Sequence, residues 1–350
     1  MHMADALISP AVGGAMWVVS GGLIAHSARK VREEADDRKV PLMGVLGAFV
    51  FAAQMINFTI PGTGSSGHLG GGMILSILLG PYAAFLVLAS VLTVQALFFA
   101  DGGLLALGCN IVNMGFFTCF VAYPLIYKKI MGRGLVKKRL PIAATIAGVA
   151  GLQCGAFGVV LETAASGISE LPFKTFVMLM LPIHLAIGLA EGLVTSGVVS
   201  FVMAARPEIL AAAAERKPLG ISVKKAVLGI AAAAVLTGVA LSWFASANPD
   251  GLEWAMLKTS GREEMQSGEK LHGLLASLQE KTAFLPDYGF RKTGTPREPV
   301  AAKTGTAPVG KEAWPAVDAG TSAAGLVGGV FTLLLAGLIG FGLSRRKISA

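Results

Sequence analysis

The chain has 350 residues, of which 54% are hydrophobic and only 14% are charged, and its formal net charge is +8. Because an average soluble domain is about 25% charged, this composition predicts an integral membrane protein. The apolar runs are continuous, which excludes the alternating strands of a transmembrane barrel and favours helices. The Lys and Arg residues lie in short loops beside those runs, so the positive charge indicates membrane orientation and not nucleic-acid binding.

The first apolar run covers residues 10–27, and the basic residues that follow it at 29–39 predict a cytoplasmic loop. The N-terminus is therefore expected outside the membrane. No signal peptide is expected, because residues 1–10 contain no Lys or Arg. The bulky His2 should hinder removal of the initiator residue, so we expect a free amine on Met1.

The second span, residues 41–60, leads back to the outer face and into a glycine-rich loop at 61–72 that contains His68. The next basic loop lies at 128–139, and an odd number of passes is needed to reach it from outside. Three passes fit best, and the first is too short to cross the membrane alone, so we expect it to be buried. The three segments are 72–80, 82–100 and 104–127.

After the basic loop, the chain is expected to pass outward over 140–161 and inward over 173–205, with an outer connection at 162–171. Residues 206–225 are rich in Ala and basic residues, including Arg206, Arg216, Lys217, Lys224 and Lys225, and predict a partly helical cytoplasmic linker. An eighth span, 226–245, and a ninth, 321–343, flank a polar segment at 248–320. The basic residues at 345–347 place the C-terminus in the cytoplasm.

This pattern predicts an all-α polytopic membrane helix bundle, with a unit of about seven helices at residues 1–205 and a second unit at 226–350. The second unit would have two transmembrane helices flanking a small extracytoplasmic domain at 248–320. That domain is expected to contain a helix near 269–280 and a loose end at 292–311.

The first two residues carry the strongest chemical signal. The Met1 amine, the His2 amide nitrogen and His2 Nδ1 can close two chelate rings on one metal ion, and a fourth nitrogen from His68 would complete a square-planar site. This geometry suits Ni(II) or Cu(II). His at position 2 can also occur by chance, and the loop around His68 can be a flexible tip. Their shared location on the outer face favours a metal site.

Four polar residues near the outer face are candidates for a second shell around the metal ligands: Asn57, Asp101, Asn110 and Asn113. Asn110 and Asn113 lie on one helical face, and metal-bound imidazoles usually need hydrogen-bond partners. The alternative is that these amides only hydrogen-bond neighbouring helices.

His184 and Glu191 lie inside the seventh segment on similar faces. An ionisable residue at membrane depth costs about 2.5 to 3.5 kcal/mol on insertion scales, so it is rarely accidental. A proton path, a metal exit route or a contact with a partner subunit would explain these residues, and so would a buried structural hydrogen bond.

Two apparent phosphate-binding patterns lack their context. Residues 62–67 satisfy G-x-G-x-x-G without a βαβ unit, and 305–311 lack the Ser or Thr that holds Mg²⁺. No catalytic constellation is visible, so neither an enzyme nor a catalytic cofactor is expected.

Two other functions stay open: an ion-coupled secondary metal permease using His184 and Glu191, and an outward-facing sensor or assembly scaffold.

Several motifs together resemble the substrate-binding M component of nickel/cobalt energy-coupling factor (ECF) transporters, the NikM/CbiM family. They are MHMADALISP at 1–10, SGHL at 66–69 within 57–72, ADGG at 100–103, and 107–114. PDGLE at 249–253 and PDY at 286–288 resemble the signature of the small N component, so the chain resembles an M–N fusion.

The resemblance implies metal ligands from the Met1 amine, His2 and His68, with Ni²⁺ or Co²⁺ as the substrate. It further implies a seven-helix binding unit in a bacterial or archaeal cell membrane. The partners implied are a separate transmembrane coupling subunit of the Q or T type and cytoplasmic ATPases, besides membrane lipid.

Overall fold

The fold is all-α apart from one small hairpin, as the sequence predicts. The computed structural model describes residues 1–34, 36–132, 136–169, 171–215, 219, 222–263, 265, 270–291 and 314–345. Several residues of the sequence predictions lie outside these ranges: Arg216, Lys217, Arg346, Lys347 and the stretch 292–311.

The α-helices are, in chain order, α1 (Pro10–Glu34), α2 (Lys39–Gln54), α3 (Gly72–Leu79), α4 (Pro81–Val94), α5 (Leu107–Ile111), α6 (Lys128–Met131), α7 (Leu140–Ser166), α8 (Phe173–Ala205), α9 (Pro207–Glu215), α10 (Lys224–Val239), α11 (Gly251–Ser260), α12 (Lys270–Thr282) and α13 (Ala319–Arg345). Wider π-helical turns continue α4 over Gln95–Phe99 and join α5 to α6 over Val112–Tyr127. Short 3₁₀ turns lie at Asp5–Leu7, Leu241–Phe244 and Pro286–Tyr288.

Within the described residues, six continuous helices are long and apolar enough to cross a membrane: Pro10–Glu34, Pro81–Phe99, Leu107–Met131, Leu140–Ser166, Phe173–Ala205 and Ala319–Ser344. Helix α2 is apolar but has only 16 residues. Helix α3 has 8 residues, all of them buried, which confirms the prediction of a short helix enclosed by its neighbours. The chain is a multi-pass membrane protein.

The second predicted span ends earlier than expected. Helix α2 stops at Gln54, and residues 58–60 form β1 (Phe58–Ile60), which pairs antiparallel with β2 (Ser65–Gly67). The turn between the strands has Gly62 and Gly64 at φ +76° and +73°, a conformation that glycine adopts without strain. His68 follows directly after the second strand of this hairpin.

The outer connection predicted at 162–171 also begins later. Helix α7 continues to Ser166 and ends at Gly167 in the left-handed region, as helix C-termini commonly do. Glu162 is therefore helical, and its carboxylate accepts a hydrogen bond of 2.6 Å from Asn113 Nδ2. This partner allows the acidic side chain to stay against the bundle.

Two pairs of helices approach so closely that only glycine fits between them. A Cβ on Gly192 of α8 would lie 2.4 Å from Thr145 Cα of α7, and one on Gly325 of α13 would lie 2.2 Å from the Gly238 carbonyl oxygen of α10. Small residues of this kind let helices pack tightly in lipid. The first contact fixes α8, which carries His184 and Glu191, against the rest of the bundle.

Candidate metal centre

The N-terminal arm, residues 1–8, is held inside the protein by hydrogen bonds between main-chain groups and the side chains of Asn110 and Asp5, and by one bond between main-chain groups. Met3 N donates to Asn110 Oδ1 over 2.8 Å, and the Met3 carbonyl accepts from Asn110 Nδ2 at 3.2 Å and from Gly103 N at 2.9 Å. Asp5 Oδ1 accepts from the amides of Leu105 and Ala106 at 2.7 and 3.0 Å. These contacts place the first two residues beside the glycine-rich loop.

The Met1 amine lies between two groups that are distant in sequence. Its nitrogen is 3.4 Å from His68 Nε2 and 3.0 Å from Asp250 Oδ2. The Met1 and Asp250 side chains are only 3% and 15% exposed. The amine is therefore next to the histidine that the sequence predicts as its partner, with an acidic residue that the sequence did not indicate.

The His68 ring is oriented by the main chain. Its Nδ1 lies 3.1 Å from the Leu69 carbonyl oxygen. Because a carbonyl only accepts, Nδ1 carries the hydrogen and Nε2 presents its lone pair toward the Met1 amine. Metal-binding histidines commonly have this arrangement.

The His2 ring stacks on the His68 ring, with centroids 4.9 Å apart and an interplanar angle of 19°. His2 Nδ1 lies 3.2 Å from Asp101 Oδ1, whereas His2 Nε2 is buried with no hydrogen-bond partner among the described residues. Asp101 also accepts a short hydrogen bond from the Tyr288 hydroxyl. A metal chelated by His2 Nδ1 would have to replace the contact with Asp101.

Burial keeps both rings neutral. It lowers the pKa of His2 and of His68 to about 3, with a further lowering by the nearby N-terminal ammonium. For Asp250, burial acts to raise the pKa, but the N-terminal ammonium and His68 outweigh it and hold the pKa below the ordinary value. Near pH 7 the two imidazoles are thus neutral and Asp250 is ionised, whereas burial raises the pKa of Asp101, the other carboxyl group beside His2.

The His68 loop is fixed by the segment that follows α10. Ser66 N donates to the Pro249 carbonyl over 2.8 Å, and Ser66 Oγ donates to the Asn248 carbonyl over 2.7 Å. Trp254 Nε1 donates to the Thr63 carbonyl over 3.0 Å. The described part of 248–320 therefore packs directly on the loop that carries a predicted metal ligand.

The predicted second-shell residues divide into two groups. Asp101 contacts His2. Asn110 and Asn113 do not bond the imidazoles as expected: Asn110 pairs with the Met3 main chain, and Asn113 donates to Glu162. The main-chain carbonyl of Asn57 accepts from Ser246 N over 2.7 Å, which joins Asn57 to the segment after α10. The Asn110 side chain thus holds the N-terminal arm, Asn113 holds α7, and Asn57 acts only through its main chain.

His184 and Glu191 are both buried, but each has its own partner. His184 Nδ1 lies 2.8 Å from the Met180 carbonyl oxygen, and Glu191 Oε2 accepts from Gly70 N over 3.2 Å. His184 lines a cavity of about 10 Å³ together with Met1, His68 and Asp250. The sequence predicted that these two residues share one helix face, and in the structure His184 lines the cavity beside Met1 and His68.

Two residues of the site were not found from sequence, namely Asp250 and Tyr288. Both belong to the motifs PDGLE and PDY, which were noted as a family signature and not as ligands or supports. An acidic residue in an otherwise apolar chain can indicate a functional site, and this signal could have singled out Asp250. Nothing in the spacing of the acidic residues, however, links Asp250 to Met1.

The described residues contain no group of three or more His, Cys, Asp or Glu side chains that could hold a metal ion. The site described above has two imidazoles, and its other candidate donors are the terminal amine and the His2 amide nitrogen of the main chain. Such a donor set suits a square-planar ion and differs from an all-side-chain site.

Residues 2–209 match the CbiM family, described as the cobalt uptake substrate-specific transmembrane region. The chain belongs to this family. Residues 224–345 match the PDGLE domain. The CbiM match contains His2 and the rest of the arm after Met1, together with the His68 loop, and the PDGLE match contains Asp250 and Tyr288.

Relatives of this CbiM-family chain bear names of metal transport proteins. It is 31% identical over 312 residues to the fused nickel transport protein NikMN of Rhodobacter capsulatus, covering 82% of this chain and 88% of that protein. It is 36% identical over 230 residues to a putative fused nickel transport protein NikMN of Archaeoglobus fulgidus, covering 66% of this chain and 75% of that protein.

The cobalt transport protein CbiM of Sorangium cellulosum is 30% identical over 221 residues, covering 60% of this chain and 94% of that protein. A solved structure described as a transition metal transporter has a TM-score of 0.52 and 30% identity, covering 59% of this chain and 93% of that one. This CbiM-family chain is thus a nickel or cobalt transport component.

Proposed function

We propose that the chain is the substrate-binding transmembrane subunit of an ATP-driven ECF importer. It captures Ni²⁺, or alternatively Co²⁺, at a square-planar site made by the Met1 amine, the His2 amide and ring nitrogens, and His68. The observation that carries this proposal is the buried Met1 nitrogen 3.4 Å from His68 Nε2. The stacked His2 ring supports it, because it brings the remaining donors to the same place.

Coordination has a defined proton balance. The Met1 ammonium loses one proton and the His2 amide loses another, so the ion's two positive charges replace two protons. The imidazoles contribute neutral lone pairs and release none. Affinity for the metal should therefore fall in acid, because protons compete for the amine and the amide nitrogen.

Square-planar nitrogen coordination and the fused PDGLE segment favour nickel over cobalt. Cu²⁺ should bind at least as tightly in solution, as the Irving–Williams order requires. The physiological ion is therefore identified by uptake and not by affinity alone.

The proposed orientation rests on the basic loops. The loops at 29–39 and 128–139 and the basic C-terminal end lie in the cytoplasm, which places the N-terminus and the metal centre toward the outside. The sequence contains no complete nucleotide-binding motif, so the energy for import comes from partners. A transmembrane coupling subunit and cytoplasmic ATPases fill that role in this proposal.

The first test blocks the terminal amine. Three residues added before Met1 should abolish high-affinity Ni²⁺ binding measured by calorimetry on the purified full-length protein. The same three residues added after Ala350 serve as the matched control and should leave binding unchanged. Undiminished Ni²⁺ binding by the N-terminally extended protein would overturn the proposed site.

The second test removes His68. His68→Ala should lose most of the Ni²⁺ affinity while circular dichroism shows the helical signal of the unmodified protein. A protein that loses its helical signal would show a structural role for His68, and His68→Gln then separates ligation from packing. His68→Gln should keep the helices and still lose Ni²⁺ affinity.

The third test concerns the partners. Affinity purification of the chain from its native membrane should bring down ATPase and coupling subunits in defined ratio. Ni²⁺ uptake by the chain alone in proteoliposomes, driven by an ion gradient, would instead favour a secondary permease and contradict the ATP-driven assignment.

A further inference from the structure

An apolar groove lies between α8 and α10 on the side of the bundle. Its walls come from the C-terminal end of α8 and the N-terminal half of α10, and the buried Leu46 of α2 and Leu78 of α3 form part of its floor. Its volume of about 670 Å³ lies within the range of small-molecule sites, about 300–1,000 Å³. Because α8 belongs to the CbiM match and α10 to the PDGLE match, the groove lies between the two units of the chain.

The groove is about as long as one leaflet of a membrane. On the α8 side it extends from Gly197 to Arg206, and on the α10 side from Lys225 to Ala233. At a rise of about 1.5 Å per residue, these stretches are about 14 and 12 Å long. The hydrocarbon core of a bilayer is about 30 Å thick, so each stretch covers about half of that thickness.

The two charged residues of the groove lie at the same end. Arg206 follows the last residue of α8, and Lys225 is the second residue of α10. Neither side chain has a hydrogen bond or an ion pair with any other described residue. Glu208, the acidic residue nearest to Arg206 in sequence, does not line the groove. The other described lining residues are all Ala, Gly, Val, Leu, Ile or Phe, so the groove combines positive charge at one end with apolar walls along the rest.

We propose that this groove binds one anionic phospholipid from the leaflet at which Arg206 and Lys225 lie. The headgroup phosphate contacts these two residues, and one acyl chain lies along the apolar walls. Guanidinium and ammonium groups bind phosphate strongly, and basic pockets between transmembrane helices bind anionic headgroups. In the proposed orientation this is the cytoplasmic leaflet. The inference goes beyond the proposed function, because it does not involve the metal centre.

A transmembrane helix of a partner subunit is the competing occupant. Such a helix crosses both halves of the bilayer, whereas the groove ends near the middle, at Gly197 and Ala233. The helix would also have to supply an acidic side chain for Arg206 and Lys225. A phospholipid supplies the negative charge and an apolar chain of one-leaflet length in the same molecule, so it matches both the charge and the length of the groove.

The first experiment compares two phospholipids that differ only in their headgroup. The purified full-length protein in detergent is titrated with dioleoyl phosphatidylglycerol or dioleoyl phosphatidylcholine, and native mass spectrometry counts the bound lipids. The first phosphatidylglycerol should bind at least about fivefold more tightly than the first phosphatidylcholine. Equal affinities would overturn the inference, and this result requires no variant to fold.

The second experiment removes the two charges. Arg206→Gln/Lys225→Gln should reduce the preference for phosphatidylglycerol to less than about twofold. Lys137→Gln/Lys138→Gln is the matched control, because these exposed basic residues precede α7 on the same membrane face in the proposed orientation and do not line the groove. The control should keep the preference. An equal loss in both double variants would mean that basic loops attract the lipid in general, and would overturn the assignment to the groove.

The third experiment fills the apolar part of the groove. Gly229 lines the groove and a Cβ there meets no atom within 4 Å, so a leucine has room to enter. Leu is also a better helix former than Gly, so the fold should persist. Gly229→Leu should weaken binding of the first phosphatidylglycerol at least about fivefold. Gly337→Leu in α13, where a Cβ also meets no atom within 4 Å, should leave it unchanged. Unchanged binding in Gly229→Leu would place the lipid elsewhere and contradict the inference.

A photoreactive residue identifies the occupant in native membranes. Phe201 lines the groove and is 72% exposed, so Phe201→p-benzoylphenylalanine adds a crosslinker at its rim. Irradiation should attach a phospholipid to the chain, whereas capture of a coupling subunit at this position would overturn the lipid assignment. Neither result depends on bound metal. Failure of this inference therefore leaves the proposed metal site standing, and failure of the metal site leaves the lipid groove standing.

Discussion

Asn110 makes the most specific contact of the N-terminal arm, and its removal tests whether docking of the arm creates the metal site. In Asn110→Ala, Met3 N loses its acceptor, whereas the Met3 carbonyl keeps its hydrogen bond from Gly103 N at 2.9 Å. Met3 is fully buried, so water cannot replace the lost acceptor. An unsatisfied buried amide costs about 1–3 kcal/mol.

That cost is subtracted from the free energy of the docked arm. If the arm must dock before the metal ion is coordinated, the whole penalty is lost from the free energy of metal binding. A penalty of about 1–3 kcal/mol should raise the dissociation constant for Ni²⁺ about 5- to 150-fold. Calorimetry on the purified protein measures this change. The Ala variant should keep its helical circular dichroism, since Asp5 still holds the arm through the amides of Leu105 and Ala106.

Ser90→Ala is the matched control, because Ser90 is also a buried polar residue but bonds only within its own helix, at 2.8 Å from the Leu86 carbonyl oxygen. It should bind Ni²⁺ as the unmodified protein does. The reasoning is refuted if Asn110→Ala binds Ni²⁺ with unchanged affinity while His68→Ala does not. In that case the arm would reach His68 without its anchor at Met3.

Three further predictions follow from the same contacts. Asp250 both pairs with the Met1 amine and caps α11, where Oδ1 accepts from Leu252 N and Glu253 N. Asp250→Asn loses the buried ion pair but keeps a good helix cap, so it should lower both the Ni²⁺ affinity, about tenfold, and the melting temperature. Asp250→Ala should lower the melting temperature further, because it also loses about 1 kcal/mol of capping. Equal melting temperatures for the two variants would contradict the capping role. His2 and His68 have a folded pKa of about 3 against an ordinary value of 6.5, so the unfolded chain takes up protons in this window and stability is lost as pH falls from 6.5 toward 3. The melting temperature of His68→Gln should accordingly depend less steeply on pH over that range, and an unchanged slope would mean that the ring is not held neutral. Tyr288→Phe removes the hydroxyl that donates to Asp101. It should reduce the Ni²⁺ affinity measured by calorimetry by less than about tenfold, because the lost group supports Asp101 and is not itself a metal ligand.

The sequence predicts helices well where local chemistry decides their ends. Helix α8 begins after Pro172 and ends before Arg206-Pro207, which bounds the predicted segment 173–205 on both sides. The short helix α3 follows from the parity of the basic loops. The proximity of Met1 to His68 was predicted from topology, because both residues were assigned to the same membrane face, and the 3.4 Å contact agrees with it.

Features that depend on tertiary partners were not predictable. The spacing of Asn110 and Asn113 shows that they share a helix face, but it does not reveal that their partners are Met3 and Glu162. The hairpin of β1 and β2 interrupts a run that is apolar enough to be read as a continuing span. Likewise, no local pattern could join Met1 to Asp250, since 249 residues separate them.

The C-terminal unit contacts every part of the candidate metal centre. Three loops meet at the site: the N-terminal arm, the His68 loop at 61–72, and residues 100–106. Each is bonded by the segment after α10, through Asp250 to the Met1 amine, through Pro249 to Ser66, and through Gln279 Nε2 to the Gly102 carbonyl at 2.7 Å. A segment that contacts all three loops stabilises the arrangement that the proposed metal site requires. Because such coupling is reciprocal, we expect metal binding at the proposed site to tighten the docking of this segment by the same free energy by which the segment strengthens metal binding.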